Sequence, residues 1–224
     1  MKFVSLVQSS VIEEATSILK HGGSIVYPTD TVYGLGVNPF DDFAVKRLFR
    51  IKKRPANKPV PLIVKSIAMA KKLAYIDARP TSRSGLRGAS KEKILRSLWP
   101  GPVSAVLYKR YVVSSLISAG TSTVSLRMPD NQLCLDLIKA FNGPITSTSA
   151  NISGEPAMNN PQAIYDRFQK EVYKPDLIID GGVLKTSQPS TVLDLTGDRP
   201  RVSRVGPVKL EDLKKILNFE IPST

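Results

Sequence analysis

Short apolar runs alternate along this chain with segments whose apolar residues return every three or four positions, the pattern of strands interleaved with amphipathic helices. Residues 3–7 read as a strand, and Ser10-Val11-Ile12-Glu13 reads as a capping box opening a helix that Gly22-Gly23 stops. Ser24-Ile25-Val26-Tyr27 is a short buried strand, followed by Pro28-Thr29-Asp30-Thr31-Val32-Tyr33-Gly34-Leu35-Gly36, a polar, glycine-containing loop past a strand end. Asp41 or Asp42 caps a helix over 43–52, where Phe43, Val45, Leu48, Phe49 and Ile51 alternate with cations. A strand at 60–64 and a helix at 66–74 follow.

The second half carries more strands. Residues 79–92, rich in arginine, glycine and serine, read as a surface loop before a helix at 91–98; the loop is either a lid or RNA-contacting arm, or a plain connection. Trp99-Pro100-Gly101-Pro102 is a turn, and strands at 103–108 and 123–127 are joined through Gly120. Pro129-Asp130 opens a helix that Asn142-Gly143 ends. A helix at 161–170, a strand at 176–180, strands at 190–195 and 201–205, and a helix at 210–217 complete the chain. The last two strands are too close in sequence for a helical crossover, so they pair antiparallel. Early alternation with late clustering of strands predicts an α/β (α+β) fold: a twisted, open mixed sheet with helices.

One stretch breaks the pattern. Thr146-Ser147-Thr148-Ser149-Ala150-Asn151-Ile152-Ser153 packs five hydroxyls and a carboxamide into eight positions after the apolar Ile145. It is either a hydrated turn or a hydrogen-bonding shelf at a strand's carboxyl end, where open α/β sheets build ligand sites. A second anomaly is the run from Lys46 to Lys58, with seven basic residues and no acidic one. Cations near the end of the helix favour its dipole, but Pro55 and Pro59 stop the helix, leaving Lys52, Lys53, Arg54 and Lys58 on or beside a stiffened loop suited to a polyphosphate. Arg127, ending a strand, either clamps a carboxylate or phosphate or pairs with a structural aspartate.

The 224 residues suffice for one well-cored domain, and the net charge of +13 predicts attraction to polyanions without distinguishing nucleotide from RNA. With one cysteine and one histidine, zinc clusters, disulfide frameworks and Cys-His dyads are excluded. Cys134 falls on an apolar helix face, and His21 sits at a helix end where it caps rather than catalyses. The start has no apolar core of signal-peptide length, and no apolar run reaches the roughly 18 residues that span a bilayer, so a cytoplasmic protein without membrane contact is expected.

Taken together these residues resemble the YrdC/TsaC family of L-threonylcarbamoyladenylate synthases. The likeness runs from Tyr27-Pro-Thr-Asp-Thr-Val-Tyr-Gly-Leu-Gly36 to Arg204-Val205-Gly206, through Lys52-x-Arg54, Trp99-Pro-Gly-Pro102, Leu126-Arg-Met-Pro129, Ser149-x-Asn151 and Ser190-Thr-Val-Leu-Asp194. It implies a YrdC-like fold with a large basic concave cavity, a single catalytic domain over 1–224, and no additional C-terminal domain of the long-form kind. The implied reaction joins L-threonine, bicarbonate and ATP into threonylcarbamoyl-AMP and pyrophosphate, with Mg2+ accompanying ATP and with tRNA and threonylcarbamoyl-transferase proteins as partners. By the same resemblance the catalytic set is Lys52, Arg54, Ser149 and Asn151. ATP binding falls to Arg54, Lys58, Thr123, Ser149, Asn151 and Arg204, and threonine binding to Thr31, Arg127, Ser147 and Ser190; metal ligands are not indicated. Lys65 stands where long-form relatives often carry histidine. YciO-like paralogues usually lack the Ser-x-Asn pair, and the related hydrogenase-maturation domains come with zinc fingers. The alternative is a non-catalytic module using the same basic concavity for tRNA or double-stranded RNA.

Overall fold

The computed structural model describes residues 1–76, 88–185 and 188–217. In chain order it has β1 (Lys2–Ser5), α1 (Val11–Lys20), β2 (Ile25–Tyr27), β3 (Gly34–Gly36), α2 (Asp42–Lys52), β4 (Leu62–Ile63), α3 (Ile67–Leu73), α4 (Gly88–Leu98), β5 (Val103–Tyr108) and α5 (Ser115–Ser118). It continues with β6 (Thr123–Arg127), α6 (Gln132–Phe141), β7 (Ile145–Thr146), β8 (Thr148–Ser149), α7 (Pro161–Gln169), β9 (Leu177–Asp180), β10 (Thr191–Asp194), β11 (Arg201–Arg204) and α8 (Leu210–Leu217).

The expected mixed α/β architecture is present, and its strands divide between two mixed sheets. One has the order β1-β9-β2-β3-β8 and the other β11-β10-β5-β6-β4-β7. β1, β9 and β2 are parallel neighbours, and β2 and β9 are fully or almost fully buried, as strands covered on both faces must be. The β10–β11 pair is antiparallel, as its short connection requires, and β5 and β6, joined through α5, pair antiparallel as well.

Helix starts follow local chemistry. Asp41 accepts from the Phe43 and Ala44 amides, Ser66 from Met69, Asn131 from Cys134, and Asn160 from Gln162 and Ala163. The capping box at Ser10 does not form. Ser10 lies at φ −87°, ψ 0° rather than in extended backbone, and the Val11 amide bonds the Gln8 carbonyl of a preceding turn instead. His21 does close α1, donating from Nδ1 to the Ser17 carbonyl at 2.8 Å. The segment 79–92, read as a lid or RNA-contacting arm or as a plain connection, falls outside the described residues up to 87, and 88–92 are the first turns of α4. Among the described residues no helix is long and apolar enough to cross a membrane.

Two corrections position the site. Residues 34–36, read as loop, form β3 and pair antiparallel with β2 and β8. They are glycine-rich because neighbours crowd them: a Cβ on Gly36 would lie 2.8 Å from both Ile145 Cγ2 and Tyr27 Cε1. The hydroxyl-rich stretch, read as one strand running into a loop, changes sheets within five residues. β7 pairs with β4 in one sheet, and β8 pairs with β3 in the other. Ser147, between them, donates its amide to the Pro61 carbonyl at 2.8 Å, and Thr146 Oγ1 accepts the Val37 amide at 2.9 Å. The stretch is therefore a seam joining both sheets.

Crowding at the seam predicts that Gly36→Ala lowers the unfolding free energy by about 1–3 kcal/mol, the usual cost of overpacking. A denaturant midpoint equal to that of the parent would show that Tyr27 and Ile145 yield freely.

Candidate functional site

Beside the seam lies a hollow of about 150 Å³. Ser147, Thr148 and Ser149 line it from the seam, Thr29, Thr31, Val32 and Gly34 from the chain between β2 and β3, and Pro61, Leu62 and Ile63 from β4 and its approach. Ser104 of β5 and Pro189-Ser190 before β10 face them, and Arg54, Arg127 and Arg204 complete the wall. No carboxylate is among these lining residues.

Each guanidinium is fixed differently. Arg127, ending β6, is buried and pairs with Asp30, while Nη1 donates to Thr31 Oγ1 at 2.8 Å. Thr31 Oγ1 is 3.1 Å from Thr29 Oγ1, whose hydroxyl donates to the Val32 carbonyl at 2.7 Å. Arg127 Nε and Asp30 Oδ2 are buried without a hydrogen-bond partner, so both retain unused capacity. The two readings of Arg127 therefore meet in one residue, held by an aspartate yet presented to the hollow. Arg204 donates from Nε and Nη2 to the Ser190 carbonyl at 3.0 and 2.7 Å, and Ser190 Oγ is 2.8 Å from Ser104 Oγ. Burial, and then the Arg127 charge, hold the Arg204 pKa below its ordinary value. Arg54 donates to the Lys58 and Pro59 carbonyls at 3.2 and 2.7 Å, bracing the proline-bounded loop, and burial lowers its pKa too.

Lys52, the last residue of α2, is almost wholly buried behind this wall. Its Nζ donates to the carbonyls of Ser149 and Asn151 at 2.5 and 2.7 Å and to Asn151 Oδ1 at 3.0 Å. Ser149 Oγ donates to the same Oδ1 at 2.6 Å. The Lys-x-Arg and Ser-x-Asn pairs are thus brought together, with Arg54 and Ser149 on the hollow and Lys52 and Asn151 behind it. Burial first, and then the Arg54 charge, push the Lys52 pKa down to about 7, with Glu155 opposing.

Of the other residues read from the sequence, Thr31, Ser147, Ser190, Arg127 and Arg204 line the hollow. Thr123 does not. It begins β6, about 13 Å along the strand from Arg127, with its hydroxyl 3.2 Å from Thr121 Oγ1. Lys58 and Lys65 are exposed and outside the lining, although the Lys58 carbonyl touches Arg54. Sequence reasoning missed Thr29, Asp30 and Ser104 as individual site residues. Ser104 had left a signal, a lone hydroxyl in the apolar run Val103-Ser104-Ala105-Val106.

The Sua5/YciO/YrdC family model, described as Telomere recombination, matches residues 17–206. The threonylcarbamoyl-AMP synthase of Pyrococcus abyssi is 35% identical over 206 residues, 92% of this chain and 57% of that protein. That of Psychromonas ingrahamii is 32% identical over 197 residues, 88% of this chain and 98% of that protein. Among solved structures, P. abyssi Sua5 complexed with L-threonine superposes with a TM-score of 0.84 at 35% identity, covering 96% of this chain and 60% of that one. E. coli YciO superposes with a TM-score of 0.81 at 28% identity, covering 95% and 98%. The chain thus spans under two thirds of the P. abyssi protein and nearly all of the Psychromonas one.

The lowered Lys52 pKa sets a pH dependence. From pH 7 up to its ordinary value near 10.5, the unfolded chain keeps a proton that folded Lys52 has released, so this residue's contribution to stability rises with pH and is lost as pH falls through 7. Burial raises the Tyr27 and Cys134 pKa values, an opposing effect confined to pH above about 8.5. Between pH 7 and 8.5 the unfolding free energy of the parent should therefore gain up to about 1.4 kcal/mol per pH unit over that of Lys52→Met. Parallel curves for the two proteins would mean that Lys52 keeps its proton throughout.

Proposed function

The chain belongs to the Sua5/YciO/YrdC family, and from that premise we propose that it joins L-threonine, bicarbonate and ATP into threonylcarbamoyl-AMP, releasing pyrophosphate. The observation that carries this reading is the convergence of Arg54, Arg127 and Arg204 on one hollow with hydroxyls and no carboxylate among its lining residues. Three guanidiniums set against the one carboxylate of Asp30 favour a polyanionic ligand, and a triphosphate with an amino-acid carboxylate supplies that charge.

The chemistry asks for placement rather than a protein nucleophile. Threonine nitrogen takes up the carbon of bicarbonate as water leaves, giving a carbamate. A carbamate oxygen then attacks the α-phosphorus in line, and the bond to the β-phosphate bridging oxygen breaks. Arg127, oriented by Asp30, receives the threonine carboxylate, with Thr31 and Ser190 at the side chain. Arg54 and Arg204 take phosphate charge as it moves onto pyrophosphate, with Lys58 at the neighbouring loop; Ser147 donates its hydroxyl proton to the carbamate, and Ser149, whose proton goes to Asn151, offers its oxygen to the adenylate as an acceptor. Lys52 holds the Ser149 carbonyl and Asn151 holds its hydroxyl. Magnesium belongs to the substrate, arriving on the phosphates. Among the described residues no group of three or more His, Cys, Asp or Glu side chains could hold an ion by itself. Transfer to tRNA by partner proteins and a cytoplasmic setting belong to the same proposal. No observation favours the non-catalytic RNA-binding module over it.

Pyrophosphate release should require threonine, bicarbonate and ATP together. Release that continues when threonine or bicarbonate is left out would reject the synthase. In Arg54→Ala, turnover should fall by about 10²-fold or more, the scale of losing one preorganised charge donor. Its melting temperature should drop by no more than about 4 °C, since the bonds to the Lys58 and Pro59 carbonyls contribute about 1 kcal/mol. A larger drop with proportionate loss of activity would mark Arg54 as structural.

A further inference from the structure

Away from the hollow, charged side chains run in a chain from α2 through α7 to the hydroxyl-rich loop. Lys53, the residue capping α2 in a left-handed conformation at φ 48°, pairs with Glu171 at 2.8 Å. Glu171 also accepts Arg167 Nη1 at 2.7 Å. Arg167 presents its other edge to Glu155, with Nη2 2.6 Å from Oε1 and Nε 3.0 Å from Oε2. The Glu155 carbonyl accepts Asn151 Nδ2 at 2.6 Å, and Asn151 Oδ1 accepts Lys52 Nζ at 3.0 Å. Lys52 is the covalent neighbour of Lys53, so the chain closes on itself as a ring of six residues.

We infer that this ring is a clamp fixing the separation between the end of α2 and the Ser149–Asn151 loop, with Arg167 as its positioning residue. None of Lys53, Glu155, Arg167 and Glu171 lines the hollow, so they act on it through Lys52 and Asn151. A planar guanidinium bridging two carboxylates fixes direction as well as distance, which a lysine in its place cannot do. Partly exposed pairs of this kind contribute little to folding, so a purely structural role would leave the ring nearly silent. Its geometric effect is larger, because Asn151 spends its side-chain oxygen on Lys52 and Ser149 and its nitrogen on Glu155. Lys53 also sustains a backbone conformation that residues with a side chain rarely adopt, and Glu171 holds the far end of that side chain. The Glu155 charge keeps the Lys52 pKa from falling further, in accord with the two groups being coupled.

The catalytic consequence rests on the synthase reading, whereas the clamp itself can be tested without it. In Arg167→Met, amide hydrogen exchange over residues 149–156 of the unliganded protein should speed up about tenfold, with α6 and β9 unchanged. In the three-substrate assay, kcat should fall about 10- to 100-fold, the scale of a small misplacement, while KM for ATP stays within about twofold. Arg167→Lys should recover only part of the loss. Unchanged exchange at 149–156 overturns the clamp whatever the activity, and faster exchange with unchanged kcat overturns the positioning role. A parent protein without turnover rejects the synthase but leaves exchange to decide the clamp. Should Arg167→Met fail to fold, Lys53→Met opens the same ring at a side chain 60% exposed and carries the same comparison.

Discussion

Burying an ammonium group costs several kcal/mol unless its N–H groups find acceptors, and Lys52 finds three oxygens on one turn of chain. Those oxygens belong to Ser149 and Asn151, so the amine fixes the backbone of the hydroxyl-rich loop to the end of a helix. The remaining geometry of the hollow follows from that junction. It sets where Ser149 stands, how Asn151 is turned, and how far Arg54, two residues along, lies from both.

The charge excess has a structural counterpart in how the guanidiniums are held. Asp30 compensates Arg127, but Arg204 leans on the Ser190 carbonyl and Arg54 on those of Lys58 and Pro59. Carbonyl dipoles orient a guanidinium without cancelling its charge. Arg204 accordingly feels Arg127, and both Arg54 and Arg204 are pushed toward their neutral forms by burial. A bound anion would relieve this repulsion in the geometry already present, which is electrostatic preorganisation in the ordinary sense.

Much of this was written in local chemistry. Asp41 or Asp42 reads as a helix start because a short polar side chain before an apolar-periodic segment has one main structural use, and Asp41 takes that place. The Lys-x-Arg and Ser-x-Asn pairs, 97 residues apart at Lys52 and Ser149, read as partners only through the family resemblance and meet in the fold. What stayed hidden depends on contacts between distant segments. That residues 34–36 form a strand follows from their pairing with β2 and β8, and that positions 34 and 36 are glycine follows from the Tyr27 ring pressing on both, neither of which a local pattern records. The change of sheet at Ser147 leaves no mark either, since a hydroxyl-rich strand and a hydroxyl-rich loop have the same letters. Ser10 misled because its motif was correct and its backbone angles were not. Glu155 and Arg167 look like an ordinary solvated pair until their carbonyl and fork are traced inward.

The seam at residues 145–149 gives the fold a coupled fate. The residues that would choose a ligand are the same ones that lace two sheets together, so selection cannot retune one property while leaving the other alone. Lineages altering the pocket here must find replacements that still knit β3 to β4, which narrows the neutral drift open to this segment far more than its polar composition suggests.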